Sequence, residues 1–373
     1  MRRPRVVLLR GHSANPWDLR PWELLADSFE VSVLVTGSNA FDLAGLRLRQ
    51  MRVRAVRDLL PRGRAGDLAV LGAGDRYLGL ARHLAGADIV HSAEVGPWFS
   101  RQPAVLKERL GFRLVLTVWE TIPLGGVYRS VRGRAYRGAT LRAADLFLAA
   151  TERAREALLL EGADPARIEV SYPGIDRAAF VPGADREPGL IVSPGRLVWE
   201  KGHQDVIRAL AALRAGLAAA GGGADFRLLI VGAGPEEDRL RRHAAELGVG
   251  ELVEFRRSVP YPEMPAILAR ASCVVLASLP TPLWEEQFGM VLAEAMAAGT
   301  PVIAAASGAI PEVVGKGGTL FRPGDWLGLT RVLAQGELSR PSPELVERYS
   351  TEAAAARLSA AYERLLARAS SSS

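Results

Sequence analysis

The chain has 373 residues, of which 49% are hydrophobic and 24% charged, a composition typical of a globular protein with two domains of ordinary size. Its apolar stretches are short and interrupted, whereas a membrane-spanning helix needs about 20 apolar residues, so no transmembrane segment is predicted. The basic start is followed by only four apolar residues, too few for a secretory signal. Cys273 is the only cysteine, which excludes an internal disulfide and favours a reducing, cytoplasmic setting.

The net charge of +6 is concentrated in the first half. Residues 1–180 hold 27 Lys and Arg against 19 Asp and Glu, and the rest of the chain holds 20 against 22. Arginine-rich runs at 46–57 and 128–142 form either a solvated surface or a surface for an anionic membrane or a lipid-phosphate acceptor. Neither aromatic interleaving nor zinc-finger spacing accompanies the charge, so nucleic acid is not predicted as a partner.

In the first half, short apolar runs alternate with helical patterns, as in βαβ units around a parallel sheet. The predicted strands cover residues 5–9, 31–35, 88–91, 113–118 and 145–150. A stretch rich in Pro, Gly and Asp follows and is typical of a linker. We therefore predict an N-terminal domain at 1–172 and a linker at 173–189.

The second half repeats the alternation. Its predicted strands cover residues 190–195, 226–232, 252–255, 273–278 and 301–306. The glycine-rich stretch 218–225 is expected to be a surface loop, and residues 352–368 a final helix. The sequence thus predicts a C-terminal domain at 190–350 and a closing helical segment at 351–373. The fold class is α/β, with two Rossmann-like doubly wound domains.

The segment WEEQFGMVLAE carries two glutamates, Glu286 and Glu294, around a predicted helix start at Phe288-Gly289-Met290. The free N–H groups of a helix start can hold a phosphate, and Gly289 lets the phosphate approach the backbone. Glu294 would then accept hydrogen bonds from ribose hydroxyls. The alternative is that both glutamates are ordinary surface residues.

Two cations, Arg196 and Lys201, follow the strand at 190–195 and are expected at the same edge of the sheet. They could neutralise a diphosphate, or they could be solvated. The turn at Gly232 and Gly234 lacks the third glycine of a dinucleotide fingerprint. It is either a turn near a nucleobase or ribose, or a plain structural turn.

These motifs, in this order, resemble those of the retaining glycosyltransferases of family 4, whose GT-B architecture has two facing Rossmann-like domains with a cleft between them. The resemblance extends over most of the chain, including 143–176 and 294–314. It implies an N-terminal acceptor-binding domain and a C-terminal nucleotide-sugar-binding domain. It also implies that the last helix packs back on the N-terminal domain.

The resemblance further implies roles for single residues. Arg196 and Lys201 would bind the diphosphate of a nucleoside-diphosphate sugar, Glu286 the donor sugar, and Glu294 the ribose. The backbone of Phe288, Gly289 and Met290 would hold the distal phosphate. The turn at Gly232 and the loop at Gly11, where family members bring a glycine-rich loop toward the phosphates, complete the predicted donor site.

The N-terminal half departs from the family at two positions where many members carry histidine. At the first of these positions His91 is present, but Glu94 follows it later in the motif. At the second position Glu120 lies where many members carry the histidine. We predict that Glu120 contacts the acceptor or the transferred sugar, with His91, Glu94 and His12 as further acceptor candidates. The alternatives are that His91 and Glu94 end a strand and cap a helix, and that His12 is an exposed loop histidine.

The predicted activity is transfer of a hexose-type sugar from a nucleoside-diphosphate sugar to a glycan, lipid or small-molecule acceptor. The predicted catalytic residues are Glu286, Arg196, Lys201 and Glu120. Retention of anomeric configuration is implied by the resemblance alone. The sequence contains no Asp-X-Asp motif, so we expect no metal ion and no cofactor.

Three alternatives belong to other classes of protein. A nicotinamide-dependent oxidoreductase needs a complete Gly-X-Gly-X-X-Gly motif, which neither GHSANP nor GAGPEE supplies. A nucleotide-sugar epimerase on the same architecture and a non-catalytic nucleotide-sugar-binding protein remain open. The predicted location is the cytoplasm, and the predicted process is cell-envelope glycan biosynthesis. A further hypothesis is that the protein contacts the inner face of the membrane peripherally.

Overall fold

The computed structural model describes residues 2–61, 63–125, 130–183, 186–216, 225–257 and 259–370. They form two compact units, one up to Gly174 together with the chain from Thr351, and the other Ile175–Ser350. The sequence predicted a linker at 173–189. Its residues from Ile175 to the end of that range belong to the second unit. Arg129 of the second basic run and most of the glycine-rich stretch 218–225 lie outside the described residues.

The N-terminal unit is built on a parallel sheet with helices on its faces. Its strands are β1 Arg5–Leu9, β2 Glu30–Val35, β3 Arg49–Arg52, β4 Ile89–Ala93, β5 Arg113–Val118, β6 Leu146–Ala149 and β7 Ile168–Val170. Its helices in the same part of the chain are α1 Pro16–Glu23, α2 Arg64–Ala73, α3 Leu80–Leu84, α4 Trp98–Leu110, α5 Val131–Ala143 and α6 Glu152–Leu160. The strand order β3-β2-β1-β4-β5-β6-β7 reverses direction next to β1, as in a doubly wound Rossmann-like sheet.

Alternate residues of β1 enter two different cores. Val6 and Leu8 pack in one cluster, and Val7 and Leu9 pack in another on the opposite face. A parallel strand covered on both faces needs a continuous apolar run, which is what the segment RVVLL supplies.

The C-terminal unit has a second parallel sheet. Its strands are β8 Leu190–Pro194, β9 Arg227–Val231, β10 Val253–Arg256, β11 Cys273–Leu276, β12 Val302–Ala305 and β13 Thr319–Phe321, in the order β10-β9-β8-β11-β12-β13. Its helices are α7 His203–Arg214, α8 Glu237–Glu246, α9 Met264–Arg270, α10 Met290–Ala297, α11 Ile310–Val314, α12 Trp326–Gln335 and α13 Pro343–Arg348. Here too the order reverses next to the first strand, β8.

The last helix, α14 Thr351–Ser370, belongs to the N-terminal unit. Leu358, Tyr362 and Leu365 enter the same core as Val6 and Leu8. Apolar residues at this spacing lie on one face of a helix, and that face packs on the unit.

Three strands, β3, β7 and β13, were absent from the predicted set. β3 lies within the arginine-rich run 46–57, and its residues Arg49–Arg52 are mostly exposed, so no apolar signal marks it. β7 and β13 have only three residues each and lie at the edges of their sheets. Among the described residues, no helix has both the length and the apolar character needed to cross a bilayer.

Candidate functional site

The carboxyl ends of β8 and β11 carry the loops that hold most candidate residues of the C-terminal unit. The two strands are paired in parallel, so these loops begin side by side. Leu279 N donates to Glu200 O at 2.7 Å. Gly202 has a φ of +69°, and a Cβ on it would lie 1.8 Å from Ala277 O. The two loops are therefore packed backbone against backbone, and only glycine fits at position 202.

Lys201 and Glu286 form an ion pair across these loops. Lys201 Nζ donates to Glu286 Oε1, and Ser278 Oγ donates to the same oxygen at 2.8 Å. The side chains of Lys201 and Glu286 are only 15% and 8% exposed. Lys201 Nζ also lies 4.9 Å from the centre of the Trp284 ring, within the range of a cation–π contact. The structure thus brings together two residues that the sequence assigned to phosphate and sugar binding.

The loop after β12 holds the backbone of Glu286 in place. Ala309 N donates to Glu286 O at 2.9 Å. Gly308 has a φ of +56°, and a Cβ on it would lie 2.1 Å from Glu286 O. Three consecutive loops of the sheet edge, after β8, β11 and β12, therefore converge on this glutamate.

Arg196 is exposed in the loop after β8, and His203 supports its backbone. His203 is fully buried at the start of α7. Its Nε2 donates to Arg196 O at 3.3 Å, and its Nδ1 accepts from Ser193 Oγ at 2.8 Å. Burial lowers the pKa of His203 to about 4, so the ring is neutral. Sequence reasoning missed His203, although its place directly after the Lys201-Gly202 pair was the available signal.

Helix α10 begins at Met290, in the segment where the sequence predicts a helix start. Gly289 is its N-cap, with a φ of +83° that favours glycine. The Phe288 side chain is 2% exposed and packs edge-on against Tyr349 at 5.4 Å. The Phe288 side chain is therefore a packing residue, and the backbone role assigned to it stays a prediction.

Glu294 lies within α10, five residues after Gly289, and is 5% exposed. Tyr261 Oη donates to its Oε1 at 2.6 Å. Burial raises the pKa of Glu294 to about 7, although the bond from Tyr261 lowers it. Near neutral pH the carboxyl group is thus present in both protonated and ionised forms.

The glycines of the turn after β9 are explained by packing. A Cβ on Gly232 would lie 1.9 Å from Gly195 O, and one on Gly234 would lie 2.3 Å from Leu197 O. Leu197 N also donates to Ala233 O at 3.0 Å. The close contact with the loop after β8 therefore requires glycine at both positions. This favours the alternative that the segment is a plain structural turn.

Gly11 and His12 follow β1 in the N-terminal unit. Gly11 has a φ of +60°, and a Cβ on it would lie 2.5 Å from Phe99 Cδ1. His12 Nε2 lies 2.6 Å from Asp75 Oδ2, and its Nδ1 lies 2.7 Å from Thr36 Oγ1. His12 is half-buried, so the alternative of a freely exposed loop histidine is wrong.

His91 is a core residue, which corrects its prediction as an acceptor contact. It is fully buried. Its Nδ1 is hydrogen-bonded to Tyr362 Oη, and its Nε2 lies 2.7 Å from Thr117 Oγ1. The Trp22 ring packs against it at 5.2 Å. With both ring nitrogens occupied inside the core, His91 stabilises the unit and does not reach a substrate.

Glu94 and Glu120 follow the adjacent strands β4 and β5. Glu94 has a φ of +60°, which is strained for a residue other than glycine. Its Oε1 accepts from Trp119 N at 2.8 Å, and its Oε2 is buried without a partner among the described residues. Burial raises the pKa of Glu94 to about 8, with smaller contributions from nearby Glu120 and Glu161 and an opposing one from the Trp119 N–H.

Neither glutamate is explained as a helix cap. The N-cap of α4 is Pro97, and no side chain accepts a capping hydrogen bond there, so the capping alternative for Glu94 is wrong. Glu120 is half-buried, and its Oε1 accepts from the N–H groups of Thr121 and Ile122 at 3.0 and 2.9 Å. Backbone strain of the kind seen at Glu94 occurs mainly at functional sites.

Two Rossmann-like parallel sheets, each with polar loops at its carboxyl edge, define an α/β protein of the two-domain GT-B class. Residues 175–355 match the family described as glycosyl transferases group 1, and residues 22–179 match glycosyltransferase family 4. The two matches together cover most of the chain, which belongs to the family 4 glycosyltransferases.

Two relatives in mycobacteria illustrate the family. D-inositol 3-phosphate glycosyltransferase of Mycolicibacterium vanbaalenii is 35% identical over 248 residues, which is 60% of this chain and 54% of that protein. A GDP-mannose-dependent phosphatidylinositol monomannoside mannosyltransferase of Mycolicibacterium smegmatis is 37% identical over 170 residues, 42% of this chain and 43% of that protein. The chain thus spans about half the length of these relatives. Neither the family matches nor these relatives support an epimerase.

Solved structures agree in fold. Anabaena HepE in complex with UDP and glucose superposes with a TM-score of 0.72 at 19% identity, covering 97% of this chain and 100% of that one. Sucrose-phosphate synthase from Thermosynechococcus elongatus gives a TM-score of 0.71 at 20% identity, covering 98% and 100%. At these identities the likeness concerns the fold.

Proposed function

We propose that this protein transfers a hexose-type sugar from a nucleoside-diphosphate sugar to a glycan, lipid or small-molecule acceptor, with retention of anomeric configuration. The observation that carries the proposal is the Lys201, Glu286 and Ser278 cluster at the carboxyl edge of the second sheet. It combines a cation for phosphate with a carboxylate for sugar hydroxyls. The names of the relatives and of the solved structures, which include GDP-mannose and UDP with glucose, support a donor of this class.

In this mechanism the C-terminal unit binds the donor. Lys201 and Arg196 neutralise the diphosphate as the bond to the sugar breaks, and the N–H groups at the start of α10 hold the distal phosphate. Glu286 accepts hydrogen bonds from sugar hydroxyls, and Glu294 from the ribose. Without ligand, Lys201 and Glu286 neutralise each other. Donor binding replaces this ion pair by contacts of Lys201 with the diphosphate and of Glu286 with the sugar hydroxyls.

The N-terminal unit binds the acceptor, with Glu120 and Glu94 as candidate contacts. In a front-face reaction the acceptor hydroxyl attacks the anomeric carbon on the side from which the diphosphate leaves. The bond to the diphosphate breaks as the new glycosidic bond forms, and a diphosphate oxygen takes the hydroxyl proton. No protein nucleophile is needed, and the enzyme acts by positioning and by stabilising charge.

A metal ion and a cofactor have no part in this scheme. Among the described residues, no three His, Cys, Asp or Glu side chains are grouped so that they could hold a metal. Independence from metal remains a prediction, which is checked by assaying transfer with a chelator present. A metal requirement would contradict the assignment of diphosphate neutralisation to Lys201 and Arg196.

Donor binding is tested by calorimetry and thermal shift with UDP, GDP, ADP, CMP and their common sugars. We expect one diphosphate to bind and Lys201→Ala to weaken it by about tenfold to a hundredfold, the value of a charge-assisted hydrogen bond. Lys316→Ala removes an exposed lysine of the same unit and should leave binding unchanged. If no diphosphate binds, the glycosyltransferase proposal fails and a non-catalytic protein with another ligand is favoured.

Retention and transfer are tested separately. Incubation with the donor that binds and a panel of acceptors should release the diphosphate and give a product with the anomeric configuration of the donor by NMR. Binding without transfer to any acceptor, and without slow hydrolysis of the donor, would favour a non-catalytic nucleotide-sugar-binding protein.

Peripheral membrane contact is proposed on the basis of the arginines of the N-terminal unit. Arg132, Arg134 and Arg142 are exposed on α5, whereas Arg137 pairs with buried Glu161 at 2.7 Å. Sedimentation with anionic and zwitterionic vesicles tests this extension. Equal partitioning with both would contradict it.

A further inference from the structure

A cavity of about 710 Å³ lies within the N-terminal unit. The loops after β1, β2 and β3 line it, together with helix α2, the segment that follows α2 and the first residue of α4. The carboxyl edge of a parallel sheet next to the reversal of strand order is where α/β proteins bind ligands. Its volume is sufficient for a ligand the size of a sugar.

One continuous hydrogen-bonded chain runs along the wall of this cavity. Asp75 Oδ2 lies 2.6 Å from His12 Nε2, His12 Nδ1 lies 3.0 Å from Ser38 Oγ, and Ser38 Oγ donates to Asp58 Oδ1 at 2.6 Å. Asp75 is only 7% exposed, so its burial holds that end of the hydrogen-bonded series in place. His12, Ser38 and Asp58 thus present prearranged polar atoms that can exchange hydrogen bonds with hydroxyl groups.

The described residues that line the cavity carry net negative charge. Asp58, Asp67 and Asp75 line it against Arg57 and His12, so the sum is negative in either protonation state of the histidine. Burial raises the pKa of Asp58, but hydrogen bonds from Ser38 Oγ and from backbone N–H groups outweigh it and lower the pKa. Asp58 is therefore ionised at neutral pH.

The Arg57 guanidinium is already engaged by two acceptors. Its NH2 group lies 2.9 Å from Asp67 Oδ1, and its NH1 group donates to Pro61 O at 2.8 Å. Asp67 lies in the first turn of α2, and its side chain is 65% exposed. The Arg57 guanidinium, which lines the cavity, is thus neutralised by Asp67. Asp67 is largely exposed, so packing does not require it.

Trp98 supplies an aromatic wall. Its ring packs edge-on against Tyr77 at 4.8 Å and against Phe99 at 5.5 Å, which fixes its orientation. An aromatic ring beside carboxylate and hydroxyl groups matches a sugar or cyclitol, which has C–H faces and a rim of hydroxyls. A phosphate group would meet a net negative lining whose guanidinium is already paired, and it would lose its water there.

We propose that this cavity binds the acceptor and selects an uncharged sugar or cyclitol over its phosphorylated counterpart, with Asp67 blocking the cation that a phosphate would require. The inference rests on the proposed glycosyltransferase function and names its acceptor class. The relative from Mycolicibacterium vanbaalenii is named for a phosphorylated acceptor, so this chain would differ from it in the group that it recognises.

The test is direct ligand binding to the full chain without donor, measured by saturation-transfer NMR and calorimetry. The probes are matched pairs, myo-inositol with its 3-phosphate and methyl glucoside with glucose 6-phosphate. We expect the uncharged member of at least one pair to bind, and its phosphorylated counterpart to bind about tenfold or more weakly, equivalent to about 1.4 kcal/mol. Ser38→Ala should weaken binding of the uncharged member by about fivefold.

Asp67→Asn is the decisive variant because it frees Arg57 and removes one negative charge. The preference for the uncharged member should fall to about threefold or less, with its own affinity unchanged. Glu152→Gln is the matched control. It also removes an exposed carboxylate that pairs with arginine in the first turn of a helix, and it should leave the preference unchanged.

Each contrary result overturns the proposal. These results are tighter binding of the phosphorylated member to the wild type, uncharged binding that Ser38→Ala leaves intact, a preference that Asp67→Asn does not alter, and no binding of any probe. Donor calorimetry on the same samples separates the two proposals. Donor binding without acceptor binding would leave the proposed function in place and remove only this assignment.

Discussion

Lys201 Nζ and Glu286 Oε1 form an ion pair that links the loop after β8 to the loop after β11. The two residues lie 85 positions apart in the sequence and meet because β8 and β11 are neighbours in the sheet. Removing one partner of a little-exposed pair leaves the other charge without compensation. The pair is thus both a structural contact and the proposed junction of phosphate and sugar binding.

The first prediction concerns Glu286→Gln, which preserves shape and removes the charge. We expect turnover to fall by about a hundredfold or more, because the sugar loses a carboxylate acceptor, while diphosphate affinity changes by about threefold or less. Diphosphate release and calorimetry measure the two effects. Glu285→Gln, at a neighbouring glutamate that is 8% exposed, serves as the control and should retain turnover. Equal losses in both variants would contradict a specific role for Glu286.

The second prediction concerns Gly202→Ala. Gly202 and Gly216 share a φ of +69°, but a Cβ at 202 would lie 1.8 Å from Ala277 O, whereas at 216 no atom lies within 4 Å. Both alanine variants incur a backbone cost of about 1 kcal/mol, and only Gly202→Ala also separates the loops that hold Lys201. We expect Gly202→Ala to lower the melting temperature further and to abolish donor binding. Equal behaviour of the two variants would show that the close contact has no consequence.

Local signals allowed part of the site to be predicted. Gly289 before an apolar helix predicted the start of α10, and the position of Lys201 after a strand placed it at the sheet edge. Contacts between distant segments were not predictable. His91 carries the family pattern, but Tyr362, 271 residues later, and Trp22 enclose it in the core. β3 was missed because its exposed arginines give no apolar signal.

The third prediction concerns Tyr362→Phe in α14. Trp22 Nε1 donates to Tyr362 Oη at 2.9 Å, and His91 Nδ1 contacts the same oxygen, so the variant leaves two buried polar groups without this partner. We expect a loss of about 1 to 3 kcal/mol in the unfolding of the N-terminal unit. Urea unfolding followed by circular dichroism measures it. Donor binding, which we propose depends mainly on the other unit, should not change.

Tyr136→Phe is the control for Tyr362→Phe because it removes a tyrosine hydroxyl from a half-buried position of the same unit. Its unfolding curve should stay within about 0.5 kcal/mol of the wild type. A loss of donor affinity in Tyr362→Phe would contradict the proposal that donor binding depends mainly on the C-terminal unit.

The fourth prediction is a pH dependence that arises at Glu94. Burial raises the pKa of its carboxyl group to about 8, from a usual value of 4.5, so between these values the folded state holds a proton that the unfolded state has lost. The free energy of unfolding should therefore fall as pH rises through this window, by about 1.4 kcal/mol per unit of pKa shift at most. Glu120 and Glu161 contribute to the rise, and Arg137 is held by Glu161.

Glu94→Gln should remove this dependence, because an amide can replace the protonated acid but does not ionise. We expect the variant to match the wild type at about pH 5 and to be more stable by a few kcal/mol at about pH 9. Thermal unfolding from about pH 5 to pH 9 measures the difference, with the exposed Glu108→Gln as control. Parallel curves for Glu94→Gln and wild type would mean that the Glu94 carboxyl titrates near its ordinary pKa, and its buried Oε2 would then need a compensating partner.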